Sequence, residues 1–113
     1  MLKIYHNPRC KKSRAGLQYL QDKGLEPEIR LYLKEPLSEE ELKNLLLKLN
    51  KTAFEMVRTQ EQIYKQEYKG KEFTNDEWIK IIVENPKLLK RPIVETKYKA
   101  VWGDPAENIE EVL

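Results

Sequence analysis

Apolar and polar positions change their spacing repeatedly along this chain, and each change marks a new element. Leu2, Ile4 and the Tyr5–His6 pair read as a short buried strand, which Asn7–Pro8 stops. From Cys10 to Lys23 the spacing turns helical, with Leu17 and Leu20 on one stripe and Gly24 where a left-handed residue would close the helix. Glu28 to Leu33 alternates again and predicts a second strand. Because a helix lies between them, the two strands are expected to pair in parallel.

The middle of the chain reads as helix throughout. Ser38 with Glu41, Thr52 with Glu55, and Thr74 with Glu77 match the capping box, in which hydroxyl and carboxylate satisfy opposite orphan amides. Leu37 with Leu42, and Phe73 with Trp78, supply the apolar pair that staples a helix start. Leu42, Leu45, Leu46 and Leu49 then form one buried face, and Trp78, Ile81 and Ile82 another, which Asn85–Pro86 ends. Tyr64 and Tyr68 predict a further amphipathic turn. These residues read as core and caps rather than as a site. Strand returns at Pro92–Glu95 and at Lys99–Trp102, joined tightly enough for an antiparallel hairpin. Asp104 is expected to cap a last helix that has Pro105 at its first position. The order β-α-β, helices, β-β-α predicts an α/β thioredoxin-like (glutaredoxin-like) mixed sheet. Residues 1–113 would form a single domain, with a helical insertion between its halves at about 37–86.

Composition narrows the function. The 113 residues carry 21 Lys+Arg against 19 Asp+Glu, a net charge of +2 that excludes a strongly basic nucleic-acid binder. Direct nucleic-acid contact is not expected. No apolar run approaches the about 18 residues a membrane span needs, and Met1–Tyr5 is too short and polar for a signal peptide. The expectation is a cytoplasmic protein with no membrane role. A single cysteine permits no intrachain disulfide and no cysteine-based zinc site, so no bound metal or cofactor is expected.

Charge alters the picture around that cysteine. Cys10 falls at the first turn of the first helix, where unpaired amides and the macrodipole favour an anion, and Arg9, Lys11, Lys12 and Arg14 crowd it. His6 adds a hydrogen bond or, if protonated, another positive charge. A drop of about two units from the usual value near 8.5 would make the thiolate the major form at pH 7. The commonest fate of a free cysteine is burial as a small hydrophobe, but four cations within four residues argue against burial here. Cys10 to Ser13 has the spacing of the Cys-x-x-Cys redox motif with serine as the second member. Ser13 is able to donate a hydrogen bond to the thiolate or to an oxyanion, but it cannot resolve a mixed disulfide. Disulfide chemistry at Cys10 therefore needs an outside thiol such as glutathione or a glutaredoxin. Arg58 closes the stretch Phe54–Val57, and Arg91 precedes Pro92 at the start of the third strand. In a thioredoxin-like sheet that proline is typically cis and faces the active cysteine. Arg91 would then lie beside the thiolate, where its planar fork suits a tetrahedral oxyanion.

The run Tyr5–Arg14 resembles the active-site loop of the glutaredoxin-coupled arsenate reductase family. Lys90–Val94 resembles that family's second signature, and Met56–Arg58 sits where its intermediate arginine is expected. The resemblance covers essentially the whole chain. It implies that Cys10 attacks arsenate, that Arg58 and Arg91 bind the oxygens, and that His6, Ser13 and Arg14 support the thiolate. It further implies that glutathione displaces arsenite and that glutaredoxin, a transient partner, reduces the resulting mixed disulfide. In the same pattern a third arginine stands before a proline, where this chain has Asp104. The fold and loop are shared with Spx-type regulators that bind RNA polymerase and with glutathione-dependent thiol reductases lacking arsenate activity. Ser13 forbids the intramolecular disulfide switch of the regulators.

Overall fold

The computed structural model describes residues 1–113 and divides into two compact units, Met1–Glu35 with Arg91–Leu113, and Pro36–Lys90. In the first unit, β1 (Leu2–Tyr5), β2 (Glu28–Arg30), β3 (Ile93–Thr96) and β4 (Ala100–Trp102) form one sheet in the order β2-β1-β3-β4. β1 pairs with β2 in parallel and with β3 antiparallel, and β3 pairs with β4 antiparallel. The helix α1 (Lys11–Asp22) supplies the crossover between β1 and β2. Ile4, Leu20, Val94 and Ile109 are buried together, with Leu2, Leu17, Leu25 and Val101 packed around them. Each such side chain contributes about 1.5–3 kcal/mol relative to exposure, so this cluster fixes which face of α1 meets the sheet.

The C-terminus of α1 closes as expected. Gly24 has φ +75°, its N–H donates to the Gln21 carbonyl at 2.9 Å, and the Leu25 N–H donates to the Leu20 carbonyl at 3.0 Å. These two bonds form a Schellman motif. The second strand is shorter than expected, ending at Arg30. Its sole neighbour β1 ends at Tyr5, the His6 N–H takes the Arg30 carbonyl at 3.0 Å, and the Lys34 and Glu35 N–H groups turn back onto the Leu31 carbonyl. An edge strand extends no further than its partner offers pairing.

The second unit holds α2 (Glu39–Leu49) and α3 (Asn75–Glu84), both opened by complete capping boxes at Ser38 and Thr74. Leu42, Leu45, Leu46 and Leu49 form the buried face of α2, while α3 buries Trp78, Ile79 and Ile82. The Thr52 box is incomplete. Its hydroxyl accepts from the Glu55 N–H at 3.3 Å, but the carboxylate bonds that hydroxyl instead of a backbone amide, and only a three-residue 3-10 turn, Phe54–Met56, follows. Tyr64–Tyr68 winds as a single π turn. Its tyrosines join Phe54 and Phe73 around Trp78, with the Phe73 and Trp78 rings 5.0 Å apart edge to face. No helix is long and apolar enough to cross a membrane.

The last helix departs from its expected start. Pro105 itself is the N-cap of a 3-10 helix over Ala106–Val112, and no side chain caps it. The Asp104 carboxylate pairs instead with Lys12 at 3.1 Å, and from one residue before the N-cap it is poorly placed for the first amides.

Candidate active site

The loop before α1 is built by its own short-range bonds. The Asn7 side-chain oxygen accepts from the Arg9 N–H at 3.0 Å, and the Asn7 carbonyl accepts from the Cys10 N–H at 3.0 Å. This is a side-chain turn nested in a backbone turn, with Pro8 supplying the φ that its second position favours. The Arg14 guanidinium spans back to the Pro8 carbonyl at 3.0 Å. Cys10 leaves this turn with extended dihedrals, φ −91° and ψ 121°, and becomes the N-cap of α1.

Cys10 is partly exposed. Burial pushes its thiol up, but the Ser13 amide, the Arg91 guanidinium and the Lys12 amide together outweigh that, and the net shift is downward. Neither amide closes a full capping hydrogen bond to the sulfur. A thiolate is a large, diffuse acceptor, and at the N-cap it stands where a capping oxygen would meet the second and third amides of the helix. The helix start and one arginine eighty-one positions away (91 − 10) thus stabilise the thiolate together.

Ser13 is fully buried, and its hydroxyl is committed away from the sulfur. Its Oγ accepts from the Asn7 N–H at 2.9 Å and lies 2.7 Å from His6 Nδ1. A serine oxygen carries two lone pairs beside its one hydrogen, so the contact with Nδ1 forms with either imidazole tautomer. Burial and then the Arg14 charge lower the His6 pKa, so His6 is neutral at pH 7 and adds no positive charge. In this structure the Ser13 hydroxyl joins His6 and Asn7 in a buried brace. Ser13→Ala keeps the amide that acts on Cys10 but strips two buried partners. It should lower stability by about 1–3 kcal/mol in denaturant unfolding while leaving the pH profile of Cys10 alkylation nearly unchanged.

The Arg91–Pro92 peptide is cis, and β3 begins at the next residue. Two bonds clamp this segment to the end of β4: Trp102 Nε1 donates to the Arg91 carbonyl at 3.2 Å, and the Gly103 N–H donates to the Pro92 carbonyl at 2.8 Å. Asn108 braces the same corner by donating to the Trp102 and Asp104 carbonyls at 3.3 and 3.2 Å. The Pro92 ring lies against α1 at Gly16, where an added Cβ would stand 2.7 Å from Pro92 Cγ. Sequence reasoning passed over Gly16 and Asn108, and read Asn7 and Gly103 only as strand breakers. A glycine inside a helix costs about 1 kcal/mol relative to alanine, and that anomaly was the available signal for Gly16.

The first unit thus brings Cys10, Arg91, Pro92, His6, Ser13 and Arg14 into one neighbourhood. Arg58 belongs to the second unit. Its N–H donates to the Leu88 carbonyl at 2.7 Å, its guanidinium lies 3.3 Å from Glu61, and its buried Nε has no hydrogen-bond partner. Val57 bridges Leu89, and the Lys90 N–H donates to the Met56 carbonyl at 2.9 Å, so Arg58 sits against the segment that runs into Arg91 in the sequence.

A strand, a Pro turn, a thiol at a helix N-cap and a cis-proline preceded by arginine define a thioredoxin-like thiol site without a second cysteine. The ArsC family model matches residues 5–112, and the chain belongs to that family. It is a thiol oxidoreductase of the arsenate reductase family. It is 42% identical to an arsenate reductase of Neisseria meningitidis serogroup A, over 99% of this chain and 97% of that protein. An Escherichia coli K12 protein, described as the uncharacterized protein YfgD, is 41% identical over 99% of this chain and 96% of its own length. Among solved structures, an arsenate reductase from Vibrio cholerae superposes with a TM-score of 0.94 at 38% identity, covering 99% of this chain and 97% of that one.

Proposed function

We propose that this protein reduces arsenate in the cytoplasm with glutathione as the thiol reductant and glutaredoxin as a transient partner, and that it carries no bound cofactor. The observation that supports this most is the pairing of a depressed Cys10 pKa with the Arg91 guanidinium at the same sulfur. A thiolate nucleophile and a cationic fork at one point suit attack on a tetrahedral oxyanion. Cys10 attacks arsenic, an S–As bond forms, and one oxygen leaves as water. Arg91 holds the remaining oxygens and the charge they carry. Glutathione then attacks Cys10 Sγ, an S–S bond forms, and the S–As electron pair stays on arsenic, which leaves as arsenite. The two thiols have been oxidised by two electrons and arsenic reduced by two. With Ser13 where a resolving thiol would stand, the Cys10–glutathione disulfide passes to glutaredoxin. His6, Ser13 and Arg14 keep the loop in place for Cys10.

Arsenite release from arsenate, glutathione and glutaredoxin tests the reading. Wild type should turn over, and Cys10→Ser should be inactive. Full activity in Cys10→Ser would overturn the role of this cysteine. A wild type that reduces glutathione mixed disulfides but releases no arsenite would assign the same site a different substrate.

A further inference from the structure

Lys12 has two ends with different duties. Its amide acts on the Cys10 sulfur, while its ammonium is drawn away to the Asp104 carboxylate at 3.1 Å. The pair is organised from the aspartate side. The Asp104 side chain is 21% exposed against 64% for Lys12, and the Asp104 carbonyl is held by Asn108 at 3.2 Å. Asp104 also follows Gly103, whose N–H binds the carbonyl of the cis-proline next to Arg91. A carboxylate is thus fixed on the side chain of Lys12, two residues from Cys10, and beside the Gly103 link to Pro92, and its effect is to cancel one mobile cation.

We propose that Asp104 is a specificity-determining residue of the Cys10 pocket. By holding the Lys12 ammonium, it trims the local positive charge and so reduces the advantage of doubly charged tetrahedral anions over singly charged ones. This rests on the oxyanion reading above and adds the charge state that the site selects. The energy of an ion in a fixed potential scales with its charge, so releasing Lys12 helps a dianion twice as much as a monoanion in free energy.

The test measures how inorganic sulfate and methanesulfonate, a dianion and a monoanion of similar shape, slow alkylation of Cys10 by iodoacetamide at constant ionic strength. Asp104→Asn should strengthen protection by sulfate roughly three- to tenfold and protection by methanesulfonate by about the square root of that factor. Lys12→Gln leaves the carboxylate unbalanced and should weaken sulfate protection. The double variant should return close to wild type. An Asp104→Asn protein with unchanged sulfate protection, or with equal gains for both anions, would overturn the proposal while leaving the oxyanion pocket standing. If neither anion protects any of the four proteins, both readings fail. Unfolding curves and anion-free alkylation profiles of each variant separate lost folding from altered selectivity.

Discussion

Arg91→Ala is expected to slow alkylation of Cys10 at pH 7 by about three- to tenfold and to remove protection by oxyanions. The guanidinium contributes both a hydrogen bond and a charge to the sulfur. A charge-assisted bond is worth about 1.5–3 kcal/mol when dry, and solvent around a partly exposed sulfur reduces that. The backbone contribution survives the change, because the Arg91 carbonyl still accepts from Trp102 and the Pro92 carbonyl from Gly103. The loss should therefore appear in reactivity and anion binding, with little movement in the unfolding midpoint. Arg91→Lys restores the charge without the planar fork, so alkylation should recover further than anion protection does. Equal losses in stability and reactivity would instead mark Arg91 as a structural residue.

Gly16→Ala has the largest expected effect on the scaffold. Replacing glycine inside a helix ordinarily gains about 1 kcal/mol. Here the new methyl would stand 2.7 Å from Pro92 Cγ, a separation that real Cβ atoms essentially never show. The proline cannot simply retreat, because the Gly103 N–H holds its carbonyl at 2.8 Å and Trp102 Nε1 holds the Arg91 carbonyl before it at 3.2 Å. Overpacking costs about 1–3 kcal/mol, so the net outcome is a loss of up to about 2 kcal/mol, with valine worse than alanine. Equilibrium unfolding in denaturant measures the loss. Cys10 alkylation should fall as well, because a displaced Pro92 carries Arg91 with it. An alanine variant more stable than wild type would show that helix propensity outweighs the contact.

These two residues differ in how visible they are in the sequence. Arg91 is legible beside Pro92 because the β-β-α order puts an X-Pro pair at the start of a strand. Gly16 is not, because the reason for a glycine there is a proline seventy-six positions later (92 − 16), and no local pattern records that approach. The same division runs through the fold. The boxes at Ser38 and Thr74 were legible because both partners lie within one turn. The Thr52 box matched the same pattern, yet the turn after it ends at Met56, so the motif marks a start without guaranteeing a helix. β2 was read too long because alternation reports which residues suit a strand, whereas its length is set by the partner that ends at Tyr5. In the site, Cys10 was visible from its position, but the use of the Ser13 hydroxyl was not. That hydroxyl had several partners within reach, and the folded loop gives it to His6 and Asn7. Asp104 has the same lesson, since its carboxylate reaches Lys12 across the fold instead of the helix beside it.

The rate of Cys10 alkylation as a function of pH, with and without arsenate, tests the central claim most directly. A thiol whose pKa is lowered stays reactive as pH falls, until it is protonated at its own, lower value. The expected inflection lies below the ordinary thiol range of about 8.5–9, with arsenate slowing the reaction on the thiolate side. An inflection at or above that range, with no slowing by arsenate, would contradict it.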